Sequence, residues 1–510
     1  MASTAAKTPP MDIAFGTDGW RAIIADSFTF ENVRLVARAI ARYLQWEGRS
    51  AQPVYRPNLA GGYPSPFRAA ASGLVVGYDT RFLSPRFARA VADEVAAQGI
   101  PVLLADTFSP TPALSQAVRD HEAAGAVVIT ASHNPSDYNG LKLKPEYASS
   151  SLPEITDALM PFIAAERANP TPRRDVPAEV RVFSPLDGYR AELSALVDLE
   201  RIRQADLDIV VDPMHGAGAG VIRGLLGDAH VREIRGTPDP TFGGVNPEPI
   251  LKNLQALMTA LSSAPGGHLP ARRVGVATDG DADRVGAADG RGHFFNAHEI
   301  FAVLMWHLVT RKGWTGGVVK TFSTSEMIGR LAAHLGLPVH ETPIGFKYIV
   351  EHMLTHDILI GGEESGGIGV KNHVPERDGV LSSLLLLEAA AWENESVEQV
   401  LARIHEITGP FAYGRVDLHL SSRAQMTEAV ASLKASTPST VGGAKVMSVE
   451  TVDGVKLRLA DDAWILFRPS GTEPVLRVYV EAPSAARVEA ILRDGERLAV
   501  SGTCALKGAH

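Results

Sequence analysis

"AGAVVITASHNPSDYNGLKLK", Ala124 to Lys144, holds an apolar run, a polar loop and a returning run in which apolar and basic residues alternate. "AVVIT" reads as a buried strand, because a short apolar, β-branched run bounded by turn residues suits a strand covered on both faces. In open α/β sheets ligands gather beyond the carboxyl ends of the strands, so Ser132, just past this run, sits where a reacting group belongs. Asn139-Gly140 predicts a two-residue hairpin, and the returning "LKLK" puts Lys142 and Lys144 on one face. An isolated Ser-His pair is most often a cap or turn, and no G-x-S-x-G surrounds Ser132 to form an α/β-hydrolase elbow. The rest of the chain must decide what Ser132 does.

The same unit, a strand followed by a polar Gly/Asp loop, recurs at "GYDTR", "VVDPMHGAGAG" and "ATDGDADR". Apolar runs such as "GLVVGYD", "LDIVVD", "VGVATD", "GVVKT" and "DILIGG" alternate with helical patterns, which argues for parallel α/β units. One helix is legible in "ENVRLVARAIARYL", where Val33, Val36, Ala37, Ile40 and Leu44 recur on one face. After Gly409 the pattern changes. "GRVDLHL", "GVKLRLA", "AWILFRPS" and "VLRVYVEA" read as antiparallel strands, with helices near 424–433 and 485–500. The reading is an α/β fold of three doubly wound mixed domains (1–184, 185–268, 269–395) and a smaller α+β domain with an antiparallel sheet (396–510). Linkers are expected near 178–184, 262–270 and 396–410. "AQPVYRPNLAGGYPSPF", rich in Pro and Gly, is expected to be a surface excursion of the first domain.

A chain of 510 residues suits three or four such domains. With 45% hydrophobic and 21% charged residues it has an ordinary globular composition. A net charge of -9 without a Lys/Arg block gives no footprint for nucleic acid or an anionic membrane. The single cysteine, Cys504, cannot form an intrachain disulfide, in keeping with a reducing cytoplasm. No signal pattern is visible in "MASTAAKTPP", and runs such as "IFAVLMWHLV" are too short to span a bilayer. The expectation is a cytoplasmic protein with no nucleic-acid or membrane partner, monomeric or dimeric.

Three further loops carry chemistry. In "TDGDADR", Asp279, Asp281 and Asp283 alternate after "VGVA", so an extended loop would point three carboxylates to one side. Clustered oxygen ligands without Cys or His favour a hard cation, and Mg²⁺ fits better than Zn²⁺. An EF-hand fails, since Arg284 stands where its glycine belongs and Gly290 where its glutamate does. In "RPSGTEP", the fork of Arg468, two hydroxyls and the backbone around Gly471 supply directional donors for a phosphate. In "GGEESGG", Glu363 and Ser365 are two apart and suited to sugar hydroxyls. A solvated acidic turn, a strand-connecting turn and a flexible loop are the bland alternatives for these three. "VVDPMHGAGAG" is not a dinucleotide fingerprint, because the third required glycine falls on Val221; it reads as a structural turn.

Together, in this order, the four loops resemble the α-D-phosphohexomutase superfamily, over nearly the whole chain from "FGTDGWRA" to "RPSGTEPVLRVYVEA". The resemblance implies four domains around a central cleft. It implies that Ser132 is a phosphorylated serine which, with Asp279, Asp281 and Asp283, holds Mg²⁺. It places Arg21, Lys142 and His133 at the reaction centre, with Lys142 as general acid/base if nearby cations lower its pKa. It makes Arg284, Lys347, Glu363, Ser365, Arg468, Ser470, Gly471 and Thr472 substrate-binding residues. The activity implied is exchange of hexose 1-phosphate and hexose 6-phosphate through a hexose 1,6-bisphosphate, which also serves as activator; sugar phosphates are then its small-molecule partners. "GEESGG" and "TPIGFKYI" look closest to phosphoglucomutases, while "FGTDGWRA" resembles relatives of mixed specificity, leaving phosphomannomutase or phosphoglucosamine mutase open. A Mg²⁺-dependent sugar phosphatase and a noncatalytic sugar-phosphate binder are the readings from other classes.

Overall fold

The computed structural model describes residues 13–16, 18–51, 67–263, 272–393, 395–470 and 474–504. Most of the expected excursion at 51–67, most of the 262–270 linker, and Gly471 and Thr472 lie outside these residues.

The first sheet is built from β1 (Trp20–Ile23), β2 (Leu74–Tyr78), β3 (Val102–Ala105), β4 (Gly125–Ile129), β5 (Tyr138–Pro145) and β6 (Val180–Phe183), in the order β1-β5-β4-β2-β3-β6. The second holds β7 (Asp208–Asp212), β8 (Val231–Glu233), β9 (Arg273–Thr278), β10 (Val285–Asp289) and β11 (Phe294–Phe295), ordered β11-β10-β9-β7-β8. The third holds β12 (Gly317–Thr321), β13 (Val339–Thr342), β14 (Ile358–Gly362) and β15 (Ile368–Val370), ordered β13-β12-β14-β15.

These three sheets share one topology. In each, two strands flank a central strand (β2, β7 or β12) in parallel, on opposite sides, and an antiparallel strand returns beside the second of them. The returns are β4 to β5, β9 to β10 and β14 to β15. The serine loop, the aspartate loop and the "GEESGG" loop are therefore the same connection made three times, each beside a point where the strand order reverses and a crevice opens. The fourth sheet is antiparallel throughout: β16 (Ala412–His419), β17 (Thr440–Val441), β18 (Ala444–Glu450), β19 (Val455–Leu459), β20 (Trp464–Pro469) and β21 (Val475–Ala482), ordered β16-β21-β20-β19-β18-β17.

The helical stripe read from the sequence forms the helix Phe30–Gln45. Thr29 caps it by accepting from Asn32 N, and Val33, Val36, Ala37, Ile40 and Leu44 are all buried. An apolar stripe of this width is what packing on a sheet requires. The α+β unit also forms as expected, with helices Arg423–Ala435 and Ala485–Cys504 against the antiparallel sheet.

The expected linkers differ. Residues 180–183 are not a linker but edge strand β6, parallel to β3. The boundary at 268/269 divides one sheet, because β9 pairs in parallel with β7 from Asp208 and Arg273 to Asp212 and Ala277. The aspartate loop thus belongs to the second sheet and not to the third. The third unit begins at the helix Ala297–Thr310, whose capping box joins Asn296 and Glu299. The expected linker 396–410 is mostly the helix Val397–Thr408, started by a Ser396/Gln399 capping box, with Val397, Val400, Leu401 and Ile404 in the core shared by the second and third units. Polar composition does not separate these segments from linkers, because a strand or helix at the edge of a unit can carry the same exposed residues as a connection between units.

Candidate active site

Asn139-Gly140 is not the hairpin turn. Both residues lie in β5, and the chain reverses earlier, across residues 131–137. The glycine is needed for close approach: a Cβ on Gly140 would stand 2.4 Å from Thr130 O and 2.8 Å from Trp20 O. The longer loop is held by Arg81, buried beyond β2. Its guanidinium donates to the carbonyls of Ser132 (2.6 Å), Asn134 (2.6 Å), Pro135 (2.7 Å) and Tyr138 (3.0 Å). Asp79 accepts from Thr130 Oγ1 at 2.6 Å, and Thr130 Oγ1 in turn accepts from Ser132 N at 2.8 Å. Ser132 is held there with a left-handed backbone, φ 52°. For a serine that is a strained conformation, and the surrounding bonds overdetermine it.

Ser132 Oγ donates to Asp279 Oδ2 at 2.7 Å. Asp279, Asp281 and Asp283 are wholly buried, and they offer carboxylate oxygens within 4.8 Å of one another. They converge on a turn with Ala282 at φ 59°, not by alternating along an extended loop as expected. Asp279 Oδ1 accepts from Asp283 N and Arg284 N. Asp281 Oδ1 and Asp283 Oδ1 are buried with no hydrogen-bond partner. An unsatisfied buried carboxylate oxygen is costly, and three carboxylates together more so, unless a cation completes them. Burial, then the charges of Asp281 and Asp283, push the Asp279 carboxyl well above its usual range.

The lysines of "LKLK" do share a face, and both reach Asp18. Lys142 Nζ lies 2.7 Å from Asp18 Oδ2, 2.8 Å from Asp281 Oδ2 and 2.9 Å from Asp283 Oδ2. Lys144 pairs with Glu376. Burial works to lower the Lys142 pKa, but the three carboxylates outweigh it and the pKa is raised. The expected lowering by nearby cations is therefore not found, because the groups in contact are anions. His133 is the opposite case. Burial, then Arg284, Arg21, Arg81 and Lys142, hold its pKa well below the usual imidazole value, so the ring beside Ser132 Oγ (Nδ1 at 3.4 Å) is neutral near pH 7. Arg21 donates to Asn134 Oδ1 at 2.9 Å, and Arg284 Nε lies 3.9 Å from Asp283 Oδ1.

Two central residues were not singled out from the sequence. Asp18 lies inside the quoted "FGTDGWRA", but nothing local marks it as the partner of Lys142, Lys144 and Arg377. Arg377 contacts Asp18, Asp283 at 2.8 Å and Glu363 at 3.5 Å, and so ties the aspartate loop and the "GEESGG" loop to the segment before β1. Burial, then Glu364, push Glu363 up to about 7 against the pull of Arg377. Glu364 instead accepts from Ser323 Oγ at 2.6 Å.

The remaining expected residues lie further out. Lys347 sits near the start of the helix Phe346–Thr355, half buried, with burial lowering its pKa. Ser365 is partly exposed in the turn after β14. Arg468, on β20, pairs with Asp453 at 3.0 Å, and Asp453 also accepts from Ile344 N at 3.0 Å. Ser470 N donates to Val475 O at 2.8 Å, closing the base of the "RPSGTEP" loop.

Models of the phosphoglucomutase/phosphomannomutase family match successive parts of the chain: alpha/beta/alpha domain I at 58–170, domain II at 187–292, domain III at 296–407 and the C-terminal domain at 422–495. A phosphoglucomutase/phosphomannomutase of Thermococcus kodakarensis is 30% identical, over 95% of this chain and 98% of that protein. A phosphoglucosamine mutase of Frankia alni is also 30% identical, over 96% and 98%. A crystal structure assigned as a phosphomannomutase of Thermus thermophilus superposes with a TM-score of 0.78 at 37% identity, covering 95% of this chain and 98% of that one.

Proposed function

Because this chain belongs to the phosphoglucomutase/phosphomannomutase family, we propose that it exchanges hexose 1-phosphate and hexose 6-phosphate, with glucose the favoured hexose, through phospho-Ser132 and a hexose 1,6-bisphosphate. The observation that carries this reading is the contact of Ser132 Oγ with Asp279, beside two aspartates whose second oxygens have no hydrogen-bond partner. Asp279, Asp281 and Asp283, with a phosphoryl oxygen on Ser132, would hold Mg²⁺. The all-oxygen donor set suits a hard ion. When bound, Mg²⁺ offsets charge on the transferring phosphoryl group.

In the forward half of the cycle the P–Oγ bond of phospho-Ser132 breaks while a P–O bond forms to the free sugar hydroxyl, whose proton passes through a basic side chain of the site to the departing Ser132 Oγ. In the return half the P–O bond of the other phosphate breaks, that phosphate passes to Ser132 Oγ, and the hydroxyl proton of Ser132 returns by the same route to the departing sugar oxygen. Arg21 and Lys142 face the developing charge as cations. Asp281 and Asp283 are two of the three carboxylates that raise the Lys142 pKa; were they to hold the metal, Lys142 would serve as proton donor and acceptor. His133, neutral, is a second acceptor close to Ser132 Oγ. Arg284, Glu363 and Ser365 take sugar hydroxyls. Lys347 and the "GEESGG" sequence favour glucose. Arg468, Ser470, Gly471 and Thr472 take the phosphate that is not reacting, so that one site accepts either end of the sugar.

A coupled assay of glucose 1-phosphate, mannose 1-phosphate and glucosamine 1-phosphate on one preparation, with free phosphate measured alongside, tests the proposal. The highest kcat/KM is expected with glucose 1-phosphate. Release of free phosphate without isomer formation would overturn the mutase reading.

A further inference from the structure

Outside this site, three imidazoles meet on the third unit. His340 lies on β13, His352 on the helix Phe346–Thr355, and His356 caps that helix, its N–H donating to His352 O. Ring centres are 4.9 Å apart for His340 and His352, 5.3 Å for His340 and His356, and 5.2 Å for His352 and His356. The three therefore form a nearly equilateral triangle and not a stack. A ring centre lies about 3.2 Å from an ion bound at about 2.0–2.1 Å from its nitrogen, so two imidazoles at the tetrahedral angle have centres about 5.2 Å apart.

We infer that His340, His352 and His356 form a site for a borderline divalent transition ion such as Zn²⁺, with the fourth position open to water. His352 and His356 are four residues apart, the spacing at which two histidines at a helix end chelate one ion. The third ligand comes from the neighbouring strand. His352 Nδ1 is buried without a hydrogen-bond partner. His356 Nδ1 contacts Thr355 Oγ1 at 2.9 Å, which leaves its Nε2 free to ligate. Burial and the neighbouring imidazoles hold His340 and His352 below the usual imidazole pKa, so both are neutral ligands near pH 7. The aspartate triad is the cluster whose ligand atoms already lie within 4.8 Å of one another; the imidazoles must turn about their Cβ–Cγ bonds to bring nitrogens to the common centre. Imidazole donors select Zn²⁺, Co²⁺, Ni²⁺ or Cu²⁺ over Mg²⁺, so the two sites take different metals. An ion here would clamp β13 to the far end of the helix that carries Lys347.

Co²⁺ is the probe, titrated into the full-length protein with Mg²⁺ in large excess to occupy the aspartates. One equivalent is expected to bind and to give the visible absorption of tetrahedral Co²⁺. His352→Ala and His340→Ala are expected to abolish the bands, and so is His356→Ala, an exposed change that leaves the fold intact. Metal-free melts matching the wild type separate lost ligation from misfolding. The inference is overturned by absence of the bands in the wild type, by their persistence in His356→Ala, or by their loss in Asp281→Asn alone.

Discussion

Ser132 Oγ donates to Asp279 Oδ2 across 2.7 Å, joining two loops that are 147 residues apart in the chain. The backbones also approach closely, leaving no room for a side chain, since a Cβ on Gly280 would stand 2.5 Å from Ser132 O. The candidate phosphoryl donor and the candidate metal ligands are thus held by loops of separate sheets in direct contact. Such positioning lets groups act on one phosphoryl group without reorganisation.

Ser132→Ala is expected to remove mutase activity while the protein still folds, because the hydroxyl has few partners. Ser132→Gly relieves the left-handed strain at φ 52° and is expected to be at least as stable as the alanine variant, yet equally inactive. Peptide mass spectrometry of wild type exposed to the bisphosphate should locate phosphate on Ser132. A fully active enzyme with unmodified Ser132 refutes the phosphoserine cycle.

Asp281→Asn is expected to lower kcat by about 10²-fold or more, with a smaller change in KM, because the lost charge matters most during transfer. Asp281 also accepts from Thr111 Oγ1 at 2.6 Å, so the variant should keep the loop in place. Exhaustive chelation should reproduce the loss in wild type, and full activity in chelator counts against the metal assignment.

Glu363, with a folded pKa of about 7 against about 4.3 in the unfolded chain, binds more protons folded than unfolded between those values. Its contribution is therefore present below about pH 4.3 and lost as pH rises through about 7, by up to about 4 kcal/mol. In substrate-free protein, Glu363→Gln should gain stability over wild type as pH is raised from 5 to 8 in denaturant titrations. A difference that is flat across this range would show that Glu363 is ionised throughout.

Arg468→Lys keeps the charge but loses the planar fork, and it is expected to raise KM and lower kcat/KM for glucose 1-phosphate. Asp453 holds Arg468 through Nε, and the guanidinium's outer nitrogens, with no hydrogen bond among the described residues, are the ones proposed to meet a phosphate. Asp453→Asn should therefore produce a weaker version of the same change. Unchanged kcat/KM in a well-folded Arg468→Lys variant would make "RPSGTEP" a turn alone.

Gly280→Ala is expected to cost kcat with little loss of Mg²⁺ affinity, since its Cβ presses on Ser132 O and not on the carboxylates. Kinetics as a function of Mg²⁺ concentration separate the two effects.

The strands that carry the chemistry were legible because their signals are local: apolar β-branched runs ending in Ser132, Asp279 or Glu363, and the change of pattern after Gly409. So were the one-face placement of Lys142 and Lys144, which follows from strand periodicity, and the four-domain fold with its α+β end. What tertiary structure alone decided are the long-range pairings. Composition near 262–270 resembles a linker, yet β9 continues the sheet of β7, because sheet membership depends on hydrogen bonds between distant segments. Asn139-Gly140 has the sequence of a tight turn, but the glycine is required where Trp20 O and Thr130 O close on β5. Asp18 and Arg377, 359 residues apart, acquire meaning only as an ion pair. The Lys142 pKa follows the same rule: Asp281, 139 residues away, and Asp283, 141 residues away, help to set it, because a buried charge responds to what lies a few ångströms from it in space and not to its neighbours along the chain.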